Sequence, residues 1–208
     1  MKKSMCITYY VEDSLYVNIT NRCSNRCDFC IRNNSDGAYG SESLWLLREP
    51  TREEILDSIF SRNLYAIKEL VFCGYGEPSY RLYDARLVAL AVKERYPDLK
   101  IRINTNGQSD LILDCDSAPL YERAFDTVSV SLNGSTPEEY DRICHSKYGA
   151  EAFGALLRFT SEVKKYVPDT RLSVVSEFIS EEEICRCREL ADSLGVTLRV
   201  RDYIPPEP

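Results

Sequence analysis

The sequence predicts an α/β fold of parallel β/α units wound as a partial (β/α)6 TIM-type barrel, and three observations carry that prediction. Six strand-like segments alternate with helical ones between Leu15 and Arg201, the pattern of right-handed β/α crossovers. The 208 residues match the roughly 190 that six units need if a full eight-unit barrel takes ~250; a doubly wound open sheet would also fit that length. Several strands also alternate polar and apolar residues, whereas parallel strands covered on both faces read as continuous apolar runs.

Taken in order, Leu15-Tyr16-Val17-Asn18-Ile19-Thr20 alternates with period two and is the first strand. Three cysteines follow at once, then a Gly/Ser/Asn-containing segment from Asn33 to Gly40 and an apolar patch, Leu44-Trp45-Leu46-Leu47, that suits a lid or a packing element. Thr51 and Glu54 have the spacing of a capping box and start a helix that runs to about Ser61. Glu69 to Cys73 is the second strand, closed by the turn Gly74-Tyr75-Gly76-Glu77-Pro78. Leu82 to Tyr96 has helical apolar spacing at Leu87, Leu90 and Ala91 and stops before Pro97.

The third strand, Ile101 to Asn104, ends in Asn104-Thr105-Asn106-Gly107, and the fourth, Thr127 to Leu132, ends at Asn133-Gly134. Thr136-Pro137-Glu138-Glu139 has an N-cap, a proline at the first helical position and a capping glutamate. A further helix covers Ala150 to Tyr166. Leu172 to Glu177 is the fifth strand, Ser180 caps a helix to Leu194 that Gly195 stops, and Thr197 to Arg201 is the sixth. The tail Ile204-Pro205-Pro206-Glu207-Pro208 cannot continue a regular element. With no linker or repeat to divide it, the chain reads as one domain, residues 1–208.

Composition narrows the function classes. A net charge of −7 with an isoelectric point near 5.0 argues against a nucleic-acid duplex or an anionic membrane as main partner. No apolar run reaches the ~18–20 residues of a membrane span, and no signal-peptide core follows Met1, so a cytoplasmic protein is expected. Nine scattered cysteines in a chain this long do not make a secreted disulfide framework.

The polar faces point to a ligand-holding interior. Thr127, Ser129, Ser131 and Asn133 share one face of their strand; Arg102, Asn104 and Asn106 share one, and so do Thr197, Arg199 and Arg201, and Tyr16, Asn18 and Thr20. With the apolar faces under the helices, the polar ones line a lumen, although the solvated face of an open sheet would alternate in the same way. Glu69 and Arg102, early in neighbouring strands, suit a neutralising pair at the bottom. Glu177 and Arg201 lie late in their strands, near the C-terminal face where α/β ligands bind, and are candidate catalytic groups with Arg199 beside them.

Cys23, Cys27 and Cys30 carry the strongest signal. Thiolates are the preferred ligands of iron–sulfur clusters and zinc. Structural zinc wants four ligands, while a cubane held by three leaves one iron open to a substrate. Cys73, at the end of the second strand, is a candidate catalytic thiol; Cys6, Cys115, Cys144, Cys185 and Cys187 read as packing residues. The one histidine, His145, sits at a helix end and suits a terminus-stabilising role.

The Cys-x-x-x-Cys-x-x-Cys motif, with Phe29 before its last cysteine, resembles the signature of the radical S-adenosylmethionine superfamily. The turn Gly74-Tyr75-Gly76-Glu77-Pro78 resembles that superfamily's Gly-Gly-Glu-Pro turn with Tyr75 as a departure. Asn104-Thr105-Asn106-Gly107 and Ser129-Val130-Ser131-Leu132-Asn133 are similar to its later segments. The phrases Asn18 to Cys23, Leu44-Trp45 with Glu49-Pro50-Thr51, Val71 to Gly74, Arg102 to Gly107 and Leu198 to Arg201 are similar to the small TatD-associated members of that superfamily.

The resemblance implies a partial TIM barrel of the radical SAM type, without an auxiliary-cluster domain. It implies that Cys23, Cys27 and Cys30 hold a [4Fe–4S] cluster whose open iron chelates S-adenosylmethionine. Phe29 would lie near the adenine, Gly74, Tyr75, Gly76 and Glu77 would meet the methionine part, and Asn104, Ser131, Asn133 and Glu177 would serve ribose, carboxylate or substrate. Reductive cleavage would give a 5′-deoxyadenosyl radical that abstracts hydrogen, with electrons from an external donor of flavodoxin or ferredoxin type. Three functions stay open: a radical enzyme on a small, anionic molecule, for which Arg199 and Arg201 speak; an activase or peptide-modifying enzyme on a partner protein; and a zinc- or cluster-stabilised binding module with Cys144 or His145 as fourth ligand.

Overall fold

In the computed structural model, which describes residues 2–203, seven strands form one sheet in unbroken chain order. They are β1 (Thr8–Val11), β2 (Ser14–Val17), β3 (Glu69–Phe72), β4 (Lys100–Thr105), β5 (Thr127–Ser131), β6 (Asp169–Val175) and β7 (Thr197–Arg201). From β2 onward every neighbour is parallel. A doubly wound sheet reverses its strand order at a switch point; this one never does, so the winding is that of a barrel, left open because β1 and β7 are not paired. The Pro-rich tail from Ile204 to Pro208 lies outside the described residues.

The helices are α1 (Arg52–Phe60), α2 (Leu82–Arg95), α3 (Ser109–Leu113), α4 (Pro137–Cys144), α5 (Glu151–Val163) and α6 (Glu181–Ser193). α1 begins with the expected capping box: Glu54 N donates to Thr51 Oγ1 at 3.2 Å and Thr51 N to Glu54 Oε2 at 2.8 Å. α4 keeps the Thr136 cap, but Glu139 turns to Arg142 at 2.7 Å instead of closing a box. Gly195 ends α6 at φ +64°. Among the described residues no helix is long and apolar enough to cross a membrane.

Four expectations are corrected. The antiparallel strand β1 is additional: Thr8-Tyr9-Tyr10-Val11 lacks clean alternation, and its link to β2 turns through Glu12 at φ +52° with no glycine or asparagine to mark it. The first expected strand pairs only through Val17; Asn18 to Thr20 continue outside it. α2 buries Leu82, Ala85, Val88, Ala89 and Val92, while Leu87 is exposed, because smaller side chains let the helix approach the sheet. β6 runs from Asp169 to Val175, and Glu177 falls in a 3₁₀ turn beyond it.

The register puts polar and apolar residues on opposite faces. Ile103 pairs with Val128 and Val130 with Leu172; this face packs under the helices in the main core. On the other face Arg102 pairs with Thr127, Asn104 with Ser129, and Ser131 with Ser173. At its floor Arg102 Nη2 and Glu69 Oε2 lie 2.8 Å apart, and Thr127 Oγ1 donates to Asp169 Oδ2 at 2.6 Å. The expected Glu69–Arg102 pair is present, and it neutralises the bottom of the lumen.

Candidate functional site

The three cysteines lie on the loop that follows β2, free and half-buried. The loop is tied down at every step. Asn106 Nδ2 donates to Ser24 Oγ at 2.7 Å, Asn25 Nδ2 to Tyr140 Oη at 3.0 Å, and Gln108 Nε2 to Asn25 Oδ1 at 2.9 Å. Arg26 N and Asp28 N donate to Cys144 O and Ile143 O at 2.9 and 3.1 Å, satisfying carbonyls that the end of α4 leaves open. His145, in the left-handed cap of that helix, reaches Asp28 Oδ1 through Nε2 at 2.8 Å.

Burial pushes the Cys23 thiol up to about 12 and raises Cys30 as well; contact with the Cys144 thiol, together with burial, raises Cys27. The loop therefore presents neutral thiols whose protons a bound metal must displace. Among the described residues no three His, Cys, Asp or Glu side chains converge on one ion. A cubane makes no such demand, because its three thiolates bind three different irons. The donor set suits that group.

The turn after β3 packs against this loop. A Cβ on Gly74 would sit 2.2 Å from Asn18 Oδ1, and one on Gly76 would sit 2.3 Å from Thr20 O and 2.7 Å from Arg22 O. Both glycines are thus required by the chain leading into the cysteines. Tyr75 is buried; its hydroxyl donates to Ser35 O at 2.7 Å and its ring lies edge-on to Trp45, so its side chain belongs to a second small core and not to the lumen. The patch Leu44 to Leu47 is a packing element there, with Leu44 and Leu46 buried.

Glu77 is the hinge of the arrangement. Its Oε1 accepts from Ser79 N, Ser79 Oγ and Thr105 Oγ1 at 3.0, 2.6 and 2.8 Å, its Oε2 from Asn106 N at 2.7 Å, and its own N–H donates to Arg22 O at 2.7 Å. Burial raises its carboxyl above the usual range. One side chain thereby joins the glycine turn, the end of β4 and the cysteine loop.

Beneath the loop lies a cavity of about 210 Å³, lined among others by Phe29, Cys30, Cys73, Asn104, Ser131 and Arg201. Of the expected polar faces, Arg102, Asn104, Ser129, Ser131 and Arg201 line this cavity, whereas Thr197 and Arg199 are exposed and Asn18 and Thr20 turn to Leu44 O and Glu49. Phe29 stands edge-on to Phe178, and Phe178 to Tyr203, over its mouth. Arg201 makes no ion pair or side-chain hydrogen bond among the described residues, and its buried Nε has no partner; burial lowers its pKa. Burial raises the Cys73 thiol.

Two expected residues sit elsewhere. Glu177 is exposed and accepts from Tyr203 N at 2.8 Å and from Ser176 Oγ at 2.7 Å, closing the chain after β7; it does not reach the lumen. Asn133 is buried at φ +55° behind the loop, with its Oδ1 unpartnered. Arg199 is exposed. Sequence reading missed the residues that hold the site together. Arg32 donates to Asn25 O at 2.8 Å and Tyr75 O at 3.4 Å, bridging loop and turn. Asn18 donates to Leu44 O at 2.8 Å, and Gln108 donates to Tyr140 Oη at 2.7 Å. Polar residues just past strand ends, beside a cysteine loop, are the signal that could have found them.

A family model, Radical SAM superfamily, matches residues 17–190. The probable GTP 3′,8-cyclases of Thermococcus kodakarensis and Methanocaldococcus jannaschii are 27% and 25% identical over 93% and 92% of this chain and 57% and 59% of their own. The chain thus spans somewhat more than half the length of these relatives. A native anSMEcpe structure with bound AdoMet shares its fold at a TM-score of 0.64, with 21% identity, over 92% of this chain and 51% of that one. HydG, a maturase of the [FeFe]-hydrogenase, matches at 0.66 with 14% identity over 92% and 43%. These likenesses speak for the superfamily and not for the narrower TatD-associated group.

Proposed function

We propose that this chain, which belongs to the radical SAM superfamily and is an enzyme that works with a [4Fe–4S] cluster and S-adenosylmethionine, acts on an anionic small molecule bound in the lumen. Arg201 carries this reading. A guanidinium with a buried, unpartnered Nε and no ion pair among the described residues is costly, and it lines the same cavity as Cys30, so an anionic ligand would offset the cost beside the cysteine loop. The GTP 3′,8-cyclases take a polyanion by name, which supports an anionic substrate; their cyclisation is not carried over.

When bound, the cluster and S-adenosylmethionine supply a hydrogen-abstracting radical, and the protein supplies position and shielding. Cys23, Cys27 and Cys30 would hold the cluster. The backbone of Gly74, Tyr75 and Gly76 would meet the methionine part, with Glu77 fixing that turn from behind. Phe29 would lie on the adenine, while Asn104 and Ser131 offer polar contacts from the lumen wall. Phe29, Ile31, Val175 and Tyr203 give the cavity apolar lining, and Cys73 brings a neutral thiol to the wall beside Arg201 as a candidate catalytic group. Electrons would come from an external one-electron donor.

The unpaired outer edge of β7, where Val200 is 39% exposed, favours a second reading in which a peptide of a partner protein enters from the open side. Anaerobic reconstitution with iron and sulfide, then dithionite and S-adenosylmethionine, tests the class. 5′-Deoxyadenosine is expected, and its absence while the cluster reduces would overturn the radical reading. Adding a low-molecular-mass extract from cells grown in deuterated medium tests the substrate. Deuterium should enter 5′-deoxyadenosine with the wild type and fall at least about tenfold with Arg201→Met; label arising only from the protein fraction would favour the partner-protein reading.

A further inference from the structure

Cys144 has no part in the function proposed above. It ends α4, is fully buried, and would ordinarily be read as a small hydrophobe. Its surroundings are more specific than that. The last two carbonyls of α4, on Ile143 and Cys144, take the N–H groups of Asp28 and Arg26, the residues immediately after and before Cys27. Cys27 is thereby pinned against the final turn of α4, its side chain packed on the core cluster that holds the buried Cys144, and the neighbouring Cys144 thiol raises the pKa of Cys27.

A second contact sets which way a bond between the two sulfurs would run. Asn133 Nδ2 donates to Cys144 Sγ at 3.8 Å, and Asn133 is itself buried and held at φ +55°. With its sulfur accepting from Asn133, Cys144 has one proton left to give. A cysteine sulfur bound to iron has lone pairs and no proton, so it can only accept.

We propose that Cys144 is a positioning residue for the iron–sulfur cluster: its S–H donates to the sulfur of Cys27 and makes the bound cluster easier to reduce. The inference rests on Cys23, Cys27 and Cys30 being the cluster's ligands. Hydrogen bonds to ligand sulfurs stabilise the more negative, reduced form and are a recognised lever on cluster potential. The contact would therefore set how readily this enzyme accepts the electron that begins its chemistry.

The test uses the full chain, anaerobically reconstituted, without S-adenosylmethionine. Cys144→Ala, Cys144→Ser and wild type are compared by iron content, by a redox titration followed by electron paramagnetic resonance, and by deuterium electron–nuclear double resonance after exchange into D2O. In Cys144→Ala the iron content should hold, the reduced-to-oxidised ratio at a fixed potential should fall about tenfold, a shift of about 59 mV for one electron, and the exchangeable deuteron nearest the cluster should vanish. Cys144→Ser, which keeps a donor, should recover most of both signals.

Cys144→Val, near cysteine in volume and without the proton, repeats the measurement should the alanine cavity impair folding. An unchanged potential and an unchanged deuteron signal in the alanine or valine variant would overturn the proposal, as would iron loss, which would make Cys144 a ligand. Cys27→Ala separates the premise from the proposal. If that variant keeps a full cluster, the ligand assignment fails; if it loses the cluster while Cys144→Ala matches the wild type, only the role of Cys144 fails.

Discussion

Alanine in place of Cys23, Cys27 or Cys30, one at a time, is expected to reduce iron binding after reconstitution to background and to abolish 5′-deoxyadenosine formation, while leaving the fold in place. Each thiolate holds a different iron of a cubane, so no remaining cysteine of the loop substitutes for a lost one. The fold should survive because the loop is held by other groups: Ser24, Asn25 and the N–H groups of Arg26 and Asp28 make its tertiary bonds. Iron assay, circular dichroism and thermal unfolding of each metal-free variant check both halves. Unfolding of the metal-free variants, with a stable metal-free wild type, would show that the thiols themselves support the fold.

Glu77→Ala should be the most destabilising single change at the site, by about 3–4 kcal/mol: it strands the buried N–H groups of Ser79 and Asn106 at ~1–3 kcal/mol each, and it leaves the Ser79 and Thr105 hydroxyls only each other and Tyr121 Oη in place of the carboxylate. A loss of that size is a large share of the ~5–15 kcal/mol that holds a typical domain folded. Glu77→Gln, which keeps one carbonyl acceptor but sets an NH2 group against the other donors, should fall between the two. Denaturant unfolding of the metal-free protein reads the effect without the cofactor. Near wild-type stability for Glu77→Ala would mean that the carboxylate serves a bound ligand instead of the scaffold.

The three cysteines and Glu77 differ in how far they are legible in the chain. Cys23, Cys27 and Cys30 were legible because metal ligation depends on residue type and short spacing, both local properties. The lumen was legible in the alternation of Ser129 and Ser131 with Val128 and Val130, since period two assigns faces directly. The work of Glu77 was not, because a carboxylate after a strand looks the same whether it meets a ligand or four protein donors. The reason for Gly74 and Gly76 was hidden likewise: the obstacle each avoids is Asn18 or Thr20, more than fifty positions away.

Strand ends were the weakest part of the reading. Glu177 looked like the last residue of a strand because Leu172 to Glu177 alternates, but the ladder stops at Val175, opposite Arg201, and the next residues turn to bind Tyr203. A one-strand partner set that boundary, and propensity could not report it. β1 was missed for the complementary reason: its pairing depends on β2 and on a turn whose left-handed position is taken by Glu12, with neither glycine nor asparagine there.

If the loop from Cys23 to Cys30 carries a cluster with an open iron, facing a lumen that takes S-adenosylmethionine, both ends of the methionine part should bind that iron. Electron–nuclear double resonance of the reduced, reconstituted protein reads this, with S-adenosylmethionine labelled with nitrogen-15 at its amino group and carbon-13 at its carboxylate. Strong couplings from both labels, lost when Cys23, Cys27 or Cys30 is replaced, are the predicted result. A cluster whose spectrum does not change on adding S-adenosylmethionine would mean that its irons are all closed to the cofactor.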